Sequence, residues 1–197
     1  MGKPQRPADH DLSSRKAALR SSLRQRRRSV ARAGRKQAAR RAATHLARAA
    51  RRWQARHVAA FLAVPEEIDT RPLLALLRRQ GCALYVPKVG RDGALRFTRL
   101  AAPLRPNRYG IREPVALRRP PRLDLIVLPL VAFDAQGRRL GMGGGYYDRL
   151  LARPRASHRP LRVGYAFAGQ EAAVVPSAAH DVRLDAVVTE RGLRRFR

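Results

Sequence analysis

The stretch RRLGMGGGYYDRLL at residues 138–151 combines glycines, arginines and an aspartate in a pattern suited to phosphate. Glycines let the backbone approach a ligand closely and turn its N–H groups toward an anion. Arg138 and Arg139 bring positive charge before the glycines, and Asp148 offers oxygens of the kind that Mg²⁺ prefers when it bridges phosphates. The pattern favours a phosphate-binding loop. The alternative is a glycine turn between a strand and a helix, with the tyrosines packed in the core.

The loop does not follow either of the two common nucleotide-binding patterns. A P-loop, GxxxxGK[ST], requires a lysine followed by a serine or threonine, and GMGGGYYD has neither. The dinucleotide pattern GxGxxG begins at Gly141 and Gly143 but has Tyr146 in the place of its third glycine. A phosphate site here must therefore use a different framework.

The elements around the loop predict an α/β fold. The run LDLIVLPLVAF before the loop is almost entirely apolar, as expected for a strand covered on both faces. Helical stretches separate it from further strand-like runs, which are HVAAFLAV, CALYVPKV, LRVGYAF and LDAVVTE. This alternation predicts a three-layer α/β/α domain with a mostly parallel sheet. Ligands of such sheets bind beyond the carboxyl ends of the strands, where we expect the loop.

Two basic helices are predicted before the first strand. The first covers residues 15–31, with Ser13 or Ser14 as its N-cap and Gly34 after its end, and the second covers residues 35–53. Residues 1–12 are polar and proline-containing, and we expect them to be a disordered tail. Residues 13–197 then form a single domain, a size that can bury a substantial core.

The composition bounds the class of protein. Hydrophobic residues make up 45% of the chain, which is typical of a folded protein. No apolar run approaches the roughly 18 residues that a membrane span needs, and no secretory signal is evident. Cys82 is the single cysteine, which excludes an internal disulfide framework. We therefore expect a cytoplasmic protein with no membrane partner.

A formal net charge of +29 raises a second candidate function. Such a charge attracts phosphate backbones at low salt, so a basic nucleic-acid-binding protein without catalytic activity is the alternative to an enzyme. The basic residues are spread along the whole chain, which instead favours a general surface bias. No familiar nucleic-acid-binding signature is present, and we expect no specific nucleic-acid partner.

Three further stretches accompany the glycine loop. They are RKAALR at residues 15–20, FLAVPEEIDT at residues 61–70 and VPSAAHDVRLDAVVTE at residues 175–190. Together with RLGMGGGYYDRLL they resemble, in order and spacing, the 5-formyltetrahydrofolate cyclo-ligase family, also called methenyltetrahydrofolate synthetases. The resemblance covers residues 14–191. It implies an α/β/α fold without a P-loop, with ATP as co-substrate and Mg²⁺.

The resemblance also implies the reaction. The formyl oxygen of 5-formyltetrahydrofolate attacks the terminal phosphate of ATP, and the neighbouring amine nitrogen then closes the ring as phosphate leaves. The product is 5,10-methenyltetrahydrofolate. A related enzyme for another formylated amine, or a regulator that keeps the fold, remains a third possibility. We expect a monomer whose partners are small molecules, namely a reduced folate and ATP.

Site residues follow from the resemblance, position by position. The implied ATP contacts are Lys16, Arg20, Arg139, Gly141, Met142, Gly143, Gly144, Gly145, Tyr146 and Tyr147. The implied folate contacts are Leu62, Glu67, Met142, Gly143, Gly144, Gly145 and Tyr146. Arg139 and Tyr146 are the implied catalytic residues, and Asp148 and Asp181 the implied metal ligands.

Each assignment outside the loop has an alternative. Lys16 and Arg20 are four residues apart and share one helix face, which is equally typical of a solvated basic helix. Glu67 can instead be a first-turn carboxylate that stabilises the following helix through its dipole. Asp185 is the rival of Asp181 because it also lies at a strand edge, and Asp181 is preferred.

Overall fold

The computed structural model describes residues 7–28, 32–90, 92–101, 103–106, 110, 112–115, 118–152 and 159–196. Its helices are α1 (Pro7–Arg28), α2 (Arg32–Arg52), α3 (Arg71–Arg79) and α4 (Tyr146–Leu151). The strands of the first half are β1 (His57–Ala60), β2 (Ala83–Val89), β3 (Leu95–Arg99), β4 (Leu104–Pro106) and β5 (Arg112–Pro114). Those of the second half are β6 (Leu125–Leu128), β7 (Ala132–Phe133), β8 (Arg139–Leu140), β9 (Leu161–Tyr165), β10 (Ala186–Thr189) and β11 (Gly192–Arg195).

A seven-stranded sheet runs through the described residues in the order β11-β10-β9-β6-β1-β2-β3. The central pairs β10–β9, β9–β6, β6–β1 and β1–β2 are parallel, whereas the edge pairs β10–β11 and β2–β3 are antiparallel. The predicted α/β fold with a mostly parallel sheet is confirmed. The chain moves from β1 to β2 on one side and later to β6 on the other, which creates a crevice at the carboxyl ends of β1 and β6.

Helices cover both faces of the sheet. Alternate residues of β1 point to opposite faces, so Val58 and Ala60 pack with α2 and α3, whereas Ala59 packs in the cluster that contains Leu151 of α4. Buried alanines of α2, among them Ala42 and Ala43, have small side chains that let the helix lie close to the sheet. Helix α2 is thus a structural layer of the domain, and its basic residues lie on the outside.

Helix α1 lies against the β7–β8 hairpin. Leu23 is 3% exposed and packs with Ala132, Leu140 and Val175, and Leu19 packs against the same group. Because Leu19 and Leu23 anchor one face, Lys16 and Arg20 on the adjoining stripe are directed to the same end of the sheet. The alternative of a solvated basic face is therefore wrong for these two residues, which line the cavity described below.

Several predicted boundaries are wrong. Helix α1 begins at Pro7, so residues 7–12 are helical rather than a disordered tail, and residues 1–6 lie outside the described residues. Gly34 lies inside α2 rather than ending the first helix. The short pair β4–β5 lies within a segment predicted as a connector, and β11 was not predicted.

The apolar run at residues 123–133 is not one strand. It forms β6, breaks at Pro129, which has no N–H to donate to a sheet, and continues as β7 in a hairpin with β8. The buried Gln170 side chain donates to the carbonyls of Leu130 and Val131 and so satisfies the break. The glycine loop therefore follows β8. No described helix is both long and apolar enough to cross a membrane.

Candidate active site

A cavity of about 800 Å³ lies at the carboxyl ends of β1, β2 and β6. Phe61 and Leu62 follow β1, Pro129 follows β6, and the whole glycine loop forms another wall. Every site residue that the resemblance implies lines this cavity. Residues as distant in sequence as Lys16, Glu67 and Asp181 are therefore brought together, although their individual roles remain predictions.

The glycine loop has a backbone that most other residues cannot adopt. Gly143 has a φ of +105° and Gly145 a φ of +62°, and a side chain at either position would be strained. At Gly144 a Cβ would lie 2.9 Å from the Tyr146 ring. Gly143 and Gly144 are exposed to the cavity, so their backbone is accessible to a ligand. Helix α4 after the loop has only six residues, so the loop N–H groups rather than a long helix dipole would hold an anion.

Arg139 is buried and held by Asp148. Its side chain is 3% exposed, and Nη2 donates to Asp148 Oδ1 at 2.7 Å. The same carboxylate oxygen accepts the Val182 N–H at 3.1 Å, which ties α4 to the segment before β10. The Nε of Arg139 has no hydrogen-bond partner in the described residues. Arg139 thus provides fixed positive charge beside the glycine loop with one donor unused.

Lys16 and Asp181 close another side of the cavity. Lys16 Nζ lies 2.5 Å from Asp181 Oδ2, and both side chains are largely buried, at 15% and 17% exposure. The N–H of Ala178 donates to the same oxygen at 2.7 Å. Partial burial raises the pKa of Asp181, but the Lys16 ammonium, the Ala178 N–H and the nearby His180 together hold this pKa below its usual value.

Arg20 binds the backbone of the glycine loop directly. Its Nε donates to the carbonyl of Gly141 at 2.9 Å, and its guanidinium lies close to Gly143. One turn further along α1, Arg24 lies 3.4 Å from the Glu66 carboxylate. Helix α1 therefore contacts both the glycine loop and the loop after β1.

Glu67 lies in the loop between β1 and α3. Its Oε2 accepts the Val64 N–H at 3.1 Å, so the carboxylate is oriented by its own loop. Burial raises the pKa of the Tyr147 hydroxyl, and the nearby Glu67 carboxylate adds to this effect. Tyr147 therefore remains protonated and able to donate a hydrogen bond. Leu62 lies at the same wall, packed partly against the core.

The donor set around the loop fits a phosphate-bridged divalent cation. Among the described residues no group of three His, Cys, Asp and Glu side chains is placed to hold a metal ion by itself. Asp148 uses Oδ1 for both of its hydrogen bonds, and Asp181 uses Oδ2 for both of its own. Among the described residues each carboxylate thus has one oxygen without a hydrogen bond, and Asp181 Oδ1 has the exposed His180 imidazole 3.8 Å away. This arrangement suits Mg²⁺ bound by one or two carboxylates plus substrate phosphates. Asp185, the rival of Asp181, binds the Arg162 N–H and does not line the cavity.

Two features of the site were not predicted from the sequence. Asp134 is fully buried and accepts the N–H groups of Gln136, Arg138 and Val175, which fixes the hairpin that leads into the glycine loop. The sequence FDAQGR at residues 133–138 could have indicated this hairpin, since Asp and Gly are typical turn residues. Arg149 also lines the cavity, and its guanidinium lies 5.1 Å from the centre of the Tyr146 ring.

Comparison with known proteins is consistent with this geometry. The sequence model of the 5-formyltetrahydrofolate cyclo-ligase family matches residues 12–190. The chain belongs to this family. The predicted resemblance is thereby confirmed, and the family is one of ligases of folate metabolism. The alternative of a nucleic-acid-binding protein finds no support in these matches.

Individual relatives of this cyclo-ligase family member agree. The chain is 38% identical over 175 residues to the 5-formyltetrahydrofolate cyclo-ligase of Escherichia coli strain K12, covering 85% of this chain and 96% of that protein. It is 32% identical to the Haemophilus influenzae enzyme of the same name, over 87% and 96% of the two chains. The NMR structure of Aquifex aeolicus 5,10-methenyltetrahydrofolate synthetase matches with a TM-score of 0.79 at 32% identity, over 92% and 93%.

A more distant structure supports the fold alone. The 5,10-methenyltetrahydrofolate synthetase from Mycoplasma pneumoniae matches with a TM-score of 0.70 at 21% identity, covering 89% of this chain and 98% of that one. The architecture is therefore retained where most side chains differ.

Proposed function

We propose that this chain catalyses the ATP-dependent closure of 5-formyltetrahydrofolate to 5,10-methenyltetrahydrofolate, with release of ADP and phosphate. The observation that carries the proposal is the single cavity in which Glu67 and the glycine loop face the same space. A reaction that transfers a phosphoryl group to the formyl oxygen requires donor and acceptor in near contact. One cavity with an anion-binding wall and a carboxylate wall meets this requirement.

The anion-binding wall is the ATP side of the proposal. Lys16, Arg20 and Arg139 surround the exposed glycine backbone and provide positive charge for the triphosphate. Arg139 is held in place by Asp148, so its charge needs no reorganisation as negative charge develops on the transferred phosphate.

The carboxylate wall is the folate side. Glu67 is oriented by the Val64 N–H and can accept hydrogen bonds from the polar pterin ring, and Leu62 provides an apolar neighbour. Tyr146 is folded back over Gly144, between this wall and the phosphate loop. In this arrangement the formyl oxygen attacks the terminal phosphate, ADP leaves, and the neighbouring amine nitrogen closes the ring while phosphate departs.

Mg²⁺ completes the proposal on the phosphate side. Asp148 and Asp181 would hold it through the carboxylate oxygens that their own hydrogen bonds leave unused. A bound Mg²⁺ neutralises developing charge on the phosphates. The protein itself orients the two carboxylates through Arg139 and Lys16, so it fixes the geometry before the nucleotide binds.

The test is absorbance in the methenyltetrahydrofolate band after purified protein is mixed with 5-formyltetrahydrofolate, ATP and Mg²⁺. Controls omit ATP or use a Gly144→Pro variant, whose added ring atoms collide with Tyr146. We expect signal from the unmodified protein with ATP only. A folded protein that binds ATP without producing the band would disprove the folate assignment while retaining the phosphate site.

We also propose that residues 13–197 act as a single, monomeric catalytic domain in the cytoplasm on small molecules alone, without a specific nucleic-acid partner. Light scattering measures the molecular mass, and a stable dimer would contradict this part. Binding to a DNA duplex at near-physiological salt provides the second check. We expect only weak, sequence-independent binding that falls steeply as salt increases.

A further inference from the structure

Arg149 is a cavity cation for which the described residues supply no acidic partner. Four Lys and Arg side chains line the cavity in the described part of the chain, namely Lys16, Arg20, Arg139 and Arg149. Lys16 pairs with Asp181, Arg139 pairs with Asp148, and Arg20 donates to the Gly141 carbonyl. The guanidinium of Arg149 lies over the Tyr146 ring and beside Gly145 of the glycine loop, and among the described residues no carboxylate pairs with it. An exposed guanidinium in this position has its donors available for an anionic ligand.

The wall next to Arg149 is apolar. Pro87 and Val89 are two residues apart on β2, and Leu95 is the cross-strand partner of Val89, so the three side chains share one face of the β2–β3 hairpin. Helix α4 packs against β3, and Ala152 follows Arg149 by three residues on the same helix side. All five residues line the cavity. They form an apolar trough between α4 and the hairpin, with one cation at its rim.

The proposed function assigns the phosphate groups of ATP to a different set of cations. Lys16, Arg20 and Arg139 line the cavity together with the exposed glycines, Asp148 and Asp181, and Arg20 contacts Gly141 and Gly143 directly. The trough instead offers apolar contact along its length and a single positive charge at its end. A ligand that fits it has a flat apolar body that ends in a carboxylate.

We infer that the trough holds the aminobenzoyl-glutamate portion of the folate and that Arg149 binds a carboxylate of its glutamate. This inference rests on the proposed function, because it deepens the substrate assignment of the same cavity. Arg149 is then a specificity-determining residue that favours substrates carrying the glutamate over those that lack it. A planar guanidinium fits a carboxylate through two parallel hydrogen bonds, which a lysine cannot reproduce.

The test compares 5-formyltetrahydrofolate with 5-formyltetrahydropteroate, which lacks the glutamate, in the unmodified protein and in Arg149→Met. We expect the unmodified protein to have about a tenfold lower KM for the glutamate-bearing substrate, equivalent to about 1.4 kcal/mol. In R149M the two KM values converge, and R149K restores only part of the difference. Arg79→Met is the matched control, since Arg79 is exposed on α3, outside the cavity, and its loss removes the same charge.

Two outcomes overturn the inference. A rise in the KM for ATP in R149M, or an equal rise for both folate substrates, would assign Arg149 to the phosphates or to general packing.

A binding measurement separates this inference from the proposed reaction. Calorimetry with folic acid and with pteroic acid, without ATP, should give the same preference for the glutamate, lost in R149M. A protein that prefers folic acid in calorimetry but has no turnover would contradict the proposed reaction and retain the glutamate site at Arg149. A protein that binds folic acid and pteroic acid equally would contradict the glutamate site.

Discussion

Lys16 and Asp181 are separated by 165 residues of sequence and joined by an ion pair of 2.5 Å at the edge of the cavity. The pair connects α1 to the segment before β10. Arg20, one turn after Lys16, connects the same helix to the glycine loop. Helix α1 is therefore both a wall of the cavity and the element that carries two of its cations, so loss of α1 packing would also displace Lys16 and Arg20 from the cavity.

The first prediction concerns Lys16. Replacing it with methionine removes the ammonium while keeping an unbranched side chain, and leaves the partly buried Asp181 without its ion-pair partner. Hydrogen bonds to charged groups contribute about 1.5–3 kcal/mol, so we expect the KM for ATP to rise by about tenfold or more. Steady-state kinetics with ATP varied at saturating folate measures this change.

The control for Lys16 is its neighbour. Arg15 is on the exposed side of α1, where its only described ion pair is a long contact of 3.7 Å to Asp11. Arg15→Met removes the same charge, and we expect the KM for ATP to stay near that of the unmodified protein. Equal effects of the two substitutions would mean that ATP responds to overall charge rather than to Lys16.

The second prediction concerns Glu67. Glu67→Gln keeps an oxygen that can accept the Val64 N–H, so the loop is retained while the negative charge is lost. We expect the KM for 5-formyltetrahydrofolate to rise by about tenfold, because a charged acceptor binds ring N–H groups more strongly than a neutral one. The KM for ATP provides the internal comparison and should change little, since Glu67 belongs to the proposed folate wall rather than to the anion-binding wall.

Glu66→Gln is the matched control for Glu67. Glu66 adjoins Glu67 in sequence but pairs with Arg24 at 3.4 Å and does not line the cavity. We expect little change in either KM. A larger effect at Glu66 than at Glu67 would mean that the folate contact is made by Glu66 and that the assignment to Glu67 is wrong.

The third prediction separates backbone strain from loop chemistry. Gly143 and Gly81 both have positive φ values, of +105° and +80°, and neither would place a Cβ in a severe clash. Alanine at either position should therefore cost about 1–2 kcal/mol of folding free energy from backbone strain. Only Gly143→Ala should also lower turnover, because Gly143 is in the glycine loop that we propose binds the triphosphate. Thermal denaturation and activity are measured on the same two samples, and equal losses of activity would argue against a specialised loop.

Much of the architecture could be predicted because burial leaves a clear pattern in the sequence. The runs that form β1, β2, β9 and β10 are apolar and bounded by turn residues, and the parallel sheet follows from the helices between them. The glycine loop was identifiable because few other residues tolerate its backbone. These features depend on local sequence, which is why they were accessible.

What could not be predicted depends on contacts between distant segments. The run at residues 123–133 looks like one strand because all of it is buried, and the break at Pro129 is stabilised by the distant Gln170. The strands β5 and β11 are short and arginine-containing, so they lack the apolar pattern of a strand. Arg149 could not be distinguished from the many other arginines until its neighbours were known.

The fourth prediction concerns stability at the end of the sheet opposite the cavity. Asp124 Oδ2 accepts the N–H groups of Arg56 and His57, and Oδ1 accepts from Arg159, so one carboxylate joins the starts of β1, β6 and β9. Burial raises the pKa of Asp124, but these hydrogen bonds and the Arg159 charge hold it below its ordinary value of 3.8. Asp124→Asn should lower the free energy of unfolding by about 2 kcal/mol near neutral pH. Turnover should be unaffected.

The pH dependence of that difference has a defined sign. A carboxyl group whose pKa is lower in the folded than in the unfolded protein stabilises the fold fully above its unfolded pKa, and this contribution is lost as the pH falls through the folded pKa. The difference in unfolding free energy between the unmodified protein and D124N should therefore be constant above about pH 5 and shrink below pH 4. Urea denaturation from pH 3 to pH 7 measures it. Asp11→Asn, at an exposed site on α1, should show no such trend, and a D124N difference that grows on acidification would contradict the assigned role of the carboxylate.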